Sequence, residues 1–427
     1  MAQQISVVPE RRAGDFWLYW AGQTISLIGS ALTNFALPLL VFKFTGSALD
    51  LGITTAAAWL PYVLFGLPIG TWVDRINRKG FMISMDIVRA APLALLPTLA
   101  LLGNLPLWWV YVVLFLNTTL SVGFNAAGYA AIASLARSKG LVQANGYIQT
   151  SAWLALVIGP LLATFLLTRI SLQGVLWVDA ATFLVSAASL VLVRTSFNRT
   201  LPQAETRNTF GRDLVEGLRY VFSHPLLRSL GLIALLANLA LGTIVAQLVL
   251  VAKDVFAASD AQAAGFATAL GLGGAIASLL SGPLKRFLPY GVLLLGSELL
   301  FGVLTIVLVL THSYWVGVVL WGCMFGMIGF FDVAFPAIIQ AVTPDAVLGR
   351  VSTVLEMLAV LSVPLSAVLG GWIIDRVGNV TLIFAILGGF VVLVALAFLA
   401  SPLARVERYL SPAQPEDVPQ QSVDAAQ

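Results

Sequence analysis

Five carboxylates fall inside long apolar runs of this chain: Asp86, Asp179, Glu298, Asp332 and Glu356. A charge at the centre of a bilayer costs about 2.5–3.5 kcal/mol on insertion scales, so each needs a partner, a water-lined site or a proton. Such groups are suited to proton coupling, for which Asp332, Glu356 and Glu298 are the candidates, while Asp179 reads as structural. Beside them run neutral polar residues at helical spacing. One set is Gln23, Ser26, Ser30 and Asn34; a second is Asn117, Ser121 and Asn125; a third is Thr243 and Gln247, with Asn238 before them. Residues three and four apart share a helix face, so each set turns one face away from lipid. Taken singly, an Asn or Ser reads as an interhelical hydrogen bond; taken together, the sets predict a wet cavity for a solute.

A second kind of chemistry is gathered in Gly70-Thr-Trp-Val-Asp74-Arg75-Ile-Asn-Arg78-Lys79, a charged stretch between two apolar runs. It predicts a tight cytoplasmic turn between two membrane helices. An acid at a helix end beside basic residues can pair with a neighbouring span or a helix N-terminus only while that side is closed. Asp86 and Arg89 follow three residues apart on one helix face and can neutralise each other in the same region. Conformational or structural roles, rather than substrate contact, suit all of these. Gly66 with Gly70, and Gly274, Ser278 and Gly282, form small-residue stripes that let helix backbones approach closely. Static packing and a sliding seam both fit such stripes.

The elements that must position these groups follow from composition. The chain is 59% hydrophobic and 10% charged, far from the roughly 45–50% and ~25% of a soluble domain. Twelve runs are long enough to span a bilayer, near 16–42, 50–72, 81–102, 107–133, 147–168, 174–193, 227–250, 262–283, 290–311, 314–338, 351–373 and 378–401. With the N-terminus inside, eighteen of the lysines and arginines fall in inside segments; Lys43, Arg169, Lys253 and Arg376 fall outside, and Arg89 lies within a span. That bias predicts both termini in the cytoplasm. The expected organisation is an N-terminal six-helix bundle over 1–193, a cytoplasmic linker over 194–225, a C-terminal six-helix bundle over 226–403 and a tail over 404–427.

In the linker Phe210, Leu214, Leu218 and Val221 recur at helical spacing among charges, which predicts an amphipathic helix on the cytoplasmic surface; a plain tether is the other reading. The tail from Ser411 is Pro-, Gln- and acid-rich and is expected to be disordered. A single offset pairs Gly66 with Ser278, Gly70 with Gly282 and Asp86 with Glu298, as in a duplicated unit.

Other functions are excluded on composition. The one cysteine, Cys323, can form no internal disulfide, and His224 and His312 are far apart, so neither a zinc site nor a Cys/His nucleophile is expected. No cofactor or metal is expected, and the chain is not read as an enzyme. No aromatic-interleaved basic patch points to nucleic acid. Residues Met1 to Asp15 do not read as a removable signal peptide.

The pattern Gly70-x-x-x-Asp74-Arg75-x-x-Arg78-Lys79 after the second of many spans resembles the loop signature of the major facilitator superfamily of secondary transporters. That resemblance implies an all-α membrane protein of twelve transmembrane helices in two pseudo-symmetric six-helix bundles related by an axis along the membrane normal. It implies a cytoplasmic gate around Gly70, Asp74, Arg75, Arg78, Lys79, Asp86 and Arg89. It implies too that spans 1, 4, 7 and 10 line the cavity, adding Met324, Phe330, Phe331 and Asp332 from span 10. Aromatics and methionine beside neutral polar groups suit a bulky amphipathic organic solute.

Six further fragments look like the branch that contains macrolide-efflux and enterobactin-exporter proteins. They are Gly22-Gln23-x-x-Ser26-x-x-Gly29, Gly46-Ser47-Ala48, Ala144-Asn145, Val178-Asp179-Ala180-x-x-Phe183, Glu216-Gly217-Leu218-Arg219 and Leu348-Gly349-Arg350-Val351. The implied protein is an exporter of the bacterial inner membrane, working as a monomer by alternating access, with protons as the partner ion. The antiporter motif of span 5 is reduced to Gly159-Pro160, and Asn34 and Asn125 stand where many proton-driven exporters carry an acid. An importer or lipid transporter of the same fold, and a non-transporting sensor or scaffold, are the alternatives.

Overall fold

The computed structural model describes residues 13–73, 76–103, 105–135, 140–197 and 210–410. Among them every regular element is helical. The first six helices are α1 (Ala13–Thr45), α2 (Ala48–Val73), α3 (Arg78–Leu101), α4 (Leu107–Leu135), α5 (Leu141–Leu167) and α6 (Leu172–Leu192). Then come α7 (Phe210–Ser223), α8 (Pro225–Ala246), α9 (Leu248–Asp254), α10 (Asp260–Lys285) and α11 (Tyr290–Leu310). The last are α12 (Tyr314–Val342), α13 (Asp345–Val377), α14 (Val380–Phe398), a 3-10 turn (Pro402–Arg405) and α15 (Glu407–Leu410). Twelve of these helices are long and apolar enough to cross a membrane, which makes this an all-α, multi-pass membrane protein.

Helix boundaries follow the local chemistry. Asn77 caps α3 by accepting from the Gly80 amide at 3.2 Å, Ser171 caps α6 in the same way, and Ser259 with Gln262 forms a reciprocal capping box at α10. Gly378 ends α13 with φ 68°, a left-handed turn that an L side chain resists. The expected seventh span over 227–250 is interrupted: α8 stops at Ala246 and α9 begins at Leu248, with Gln247 at the break.

The packing repeats itself. In the first six helices α3 lies on α6 and α4, α1 on α5 and α6, and α2 on α4. In the second set α11 lies on α14 and α12, α8 on α13 and α14, and α10 on α12. Each pairing in one bundle thus has its counterpart in the other, and the sequence offset joins α2 with α10 and α3 with α11, helices that hold equivalent places. Across the middle α2 lies on α13 and α5 lies on α10, again equivalent crossings.

Helix α7 docks on protein. Val221 is fully buried with Leu226, Leu230 and Val354, and Leu214 and Leu218 lie on the same cluster. Glu216 meets Arg350 of α13 at 3.0 Å. The apolar face expected at the membrane surface is therefore covered largely by α13 and α8, while Val215 and Phe222 stay exposed. Asp74, Arg75 and the tail beyond residue 410 lie outside the described residues.

Candidate functional site

The two bundles meet at one end, where α1 turns into α2. A Cβ placed on Gly52 of α2 would lie 2.2 Å from the Ala367 carbonyl oxygen of α13, and one on Gly371 of α13 would lie 2.3 Å from the Ala48 carbonyl oxygen. Only glycine permits that approach. The Asp375 carboxylate of α13 accepts from the Ala48 amide at 2.8 Å, the Leu49 amide at 3.0 Å and the Ser47 hydroxyl at 2.8 Å. It thereby caps the N-terminus of a helix in the other bundle, where both free amides and the helix dipole favour an anion. Gln247, at the break in span 7, donates to the Ala48 carbonyl at 2.9 Å. Asp260 pairs with Lys43 of α1 and, at 2.6 Å, with Lys253.

At the opposite end, which carries the start of α1, a Cβ added to Gly66 of α2, Gly146 of α5, Gly282 of α10 or Gly349 of α13 would meet nothing within 4 Å among the described residues. The close glycine approaches between the bundles thus lie away from that end. Glu356 lies two turns from Val363 and three from Ala367, on the face of α13 that meets α8 and α2 farther along. Glu356 itself is exposed. Leu361, Leu365, Leu369 and Trp372 are exposed on the other side. Asn34, Asn125 and Asp332 are also exposed, and Ser30, Ser121 and Asn238 are half-buried; Ser121 and Asn238 bond to carbonyls one turn back.

Several of the residues expected in the cavity lie elsewhere. Gln23 and Ser26 are buried, and Gln23 donates to Ser186 of α6 at 2.9 Å. Thr243 donates to the Ser366 carbonyl of α13 at 2.7 Å, and Gln247 is fully buried where the bundles meet. Met324 is fully buried, and Phe331 stacks on Phe335 inside the second bundle. Gln23, Thr243 and Gln247 each meet a neighbouring helix through these bonds.

The gate residues also divide. Lys79 donates to the Val193 carbonyl, and Arg78 to the Phe197 carbonyl at 3.4 Å, so both hold the chain leaving α6 within their own bundle. Gly70 lies in the last turns of α2. Asp86 and Arg89 are not at the gate: two to three turns into α3, they are 0% and 7% exposed inside the first bundle. There they meet Asp179 of α6, also 0% exposed.

Arg89 reaches Asp86 at 3.7 Å, donates through Nε to Asn117 of α4 at 2.8 Å, and lies 4.0 Å over the Phe183 ring. Asp179 accepts from the hydroxyls of Thr33 on α1 and, at 3.0 Å, Thr182. Neither oxygen of Asp86 accepts a hydrogen bond, although Ser186 lies beside it. Glu298 is 8% exposed on α11 and faces the charge of Asp332 on α12. Sequence reasoning missed the join to Asp179, yet a signal existed: Arg89 is the one cation inside a predicted span of that half.

Twelve membrane-spanning helices in two six-helix bundles of matching packing define a membrane transporter, a machine for passage rather than for chemistry. A model of the Major Facilitator Superfamily matches residues 19–291 and 230–423, and the chain belongs to that superfamily. It is similar to macrolide efflux protein A of Streptococcus pyogenes, 28% identical over 85% of this chain and 90% of the relative. It is also similar to the multidrug efflux pump Tap of Mycolicibacterium fortuitum, 26% identical over 82% of this chain and 87% of the relative. Among solved structures, a mutant of the nucleoside transporter NupG aligns with TM-score 0.74 at 14% identity, covering 90% of this chain and 99% of that one. A bacterial homologue of the human lysosomal transporter Spinster, in an inward-facing, unoccupied conformation, aligns with TM-score 0.68 at 16% identity over 94% and 98%.

Proposed function

We propose that this protein exports bulky amphipathic organic solutes, macrolide-like in size and polarity, across a bacterial inner membrane by alternating access in exchange for protons. Both termini are cytoplasmic in this reading, so the glycine crossings lie on the outer side and the state described here is ready to load from the cytoplasm, and the protein works as a monomer. The observation that carries it is the exposed Glu356 carboxylate on the face of α13 that meets α8 and α2 farther along, together with kinship to macrolide and multidrug efflux proteins. A carboxylate in that position attracts an amphiphile that carries a basic group, and the exposed Asn34 and Asn125 supply neutral hydrogen-bonding groups. Asp332 and Glu298 remain coupling candidates beside Glu356.

Radiolabelled erythromycin, used as the probe, tests this in inverted membrane vesicles. Acidifying the vesicle interior drives accumulation, and Glu356→Gln raises the concentration needed for half-maximal uptake. Equal label in vesicles with and without the protein overturns the export reading.

A further inference from the structure

We propose that the cluster of Asp86, Arg89 and Asp179 in the first bundle is a proton-binding site, its two acids sharing one proton. The inference rests on the proton-exchange reading above and names the site through which exchange runs. Two carboxyl groups and one guanidinium are sealed among α1, α3, α4 and α6, leaving one negative charge without a counter-charge if both acids are ionised. A sealed apolar interior does not hold an uncompensated charge, so the group takes up a proton.

Asp179 accepts two hydroxyl hydrogen bonds, from Thr33 and Thr182. Asp86, 0% exposed, has Arg89 at 3.7 Å and Ser186 beside it, so the two acids share one cation and one proton. The other titratable groups facing the cluster are Tyr19 of α1, beside Asp86, and Tyr62 of α2, beside Arg89. From α4 come Asn117 and Phe124, which do not titrate.

The cluster is also laid out along the direction of transport. Asp86 lies about two turns from the start of α3 and Asp179 about two turns from the start of α6, and these helices start at opposite ends of the bundle. Arg89 stands between, free to pair with whichever acid is charged. Release of the shared proton needs the bundle to open the cluster to water, which takes the proton as the O–H bond breaks and hydrates the two carboxylates left with one guanidinium, 3.7 Å from Asp86. Protonation of either acid from the other side restores the starting charge.

Infrared difference spectra of the purified full-length protein, taken between acidic and alkaline buffer, read the site directly. The carbonyl band of a protonated carboxylic acid is expected in the wild type, lost in Asp86→Asn and kept in Glu298→Gln. In vesicles, Asp86→Asn is expected to lose erythromycin accumulation driven by a pH gradient while erythromycin-for-erythromycin exchange at equal pH continues. Should Asp86→Asn fail to fold, Asp86→Glu keeps the carboxyl and is expected to shift the band instead of removing it. A band unchanged in both Asp86 variants, or gradient-driven accumulation unchanged in Asp86→Asn, overturns the proposal. Absence of any erythromycin transport in the wild type sinks the export reading instead, and the infrared band still judges the site.

Discussion

Helices α3 and α6 of the first bundle and α11 and α14 of the second make the same packing pair, yet only the first adds a cation and a second acid to the one acid both share. In α3 the acid Asp86 is followed three residues later by Arg89; in α11 the acid Glu298 is followed three residues later by Phe301, 3% exposed. Helix α6 carries Asp179, whereas α14, Val380–Phe398, has no charged residue at all. The second bundle keeps one buried acid, and rings and aliphatic side chains stand where Arg89 and Asp179 stand in the first. A buried cation and second acid kept in one copy and dispensed with in the other point to a task beyond stability, since such groups are weak stabilisers once desolvation is counted.

The comparison breaks most forcefully at Arg89. Arg89→Met leaves two acids without a cation and is expected to cost about 3–5 kcal/mol, read as a lowered thermal midpoint of the purified protein. Replacing the whole ionic cluster with apolar residues, as Asp86→Leu, Arg89→Phe and Asp179→Val together, is expected to be neutral or to stabilise by about 1–4 kcal/mol. That triple variant keeps its fold and loses gradient-driven uptake; a variant that unfolds would make the cluster a structural necessity.

Outside the compared pair, Asp375→Ala removes the cap on α2, worth about 0.5–2 kcal/mol. It is expected to shift the population toward states open at the capped end, seen as longer spin-label distances across the α2 and α13 crossing. Smallest is Glu298→Gln, expected within about 1 kcal/mol of the wild type and without effect on the infrared carboxyl band. A loss of that band here would transfer the proton site to the second bundle.

The twelve spans and the bundle repeat were legible because bilayer insertion imposes length and apolarity on each helix separately. The site was legible only in part, because periodicity shows that residues share a face and not which neighbour that face meets. Gln23 and Ser26 do share one, and it meets Ser186; Thr243 and Gln247 meet α13 and the start of α2. Glu356 was legible as an acid in a span, but its exposure on the face of α13 that meets α8 and α2 farther along was not. Asp86 and Arg89 read as gate residues because they follow a charged turn closely in sequence, while two to three helical turns carry them into the bundle interior. Asp375, near the end of a predicted span, gave no sign that its partner would be the first residues of a helix more than three hundred positions earlier.

The glycine crossings between the bundles, Gly52 on Ala367 and Gly371 on Ala48, have their counterpart where Gly271 of α10 rests on the Leu156 carbonyl of α5. Two such crossings on opposite flanks define a pivot line, and a rigid half turning about it moves each atom in proportion to its lever arm. Gly66 and Gly349 lie far out on that arm while the crossings hold, and release of the crossings frees Ala48 and Ala367 to separate in turn. A modest rotation at the pivot therefore suffices to swing the far ends of the bundles together around a large cargo.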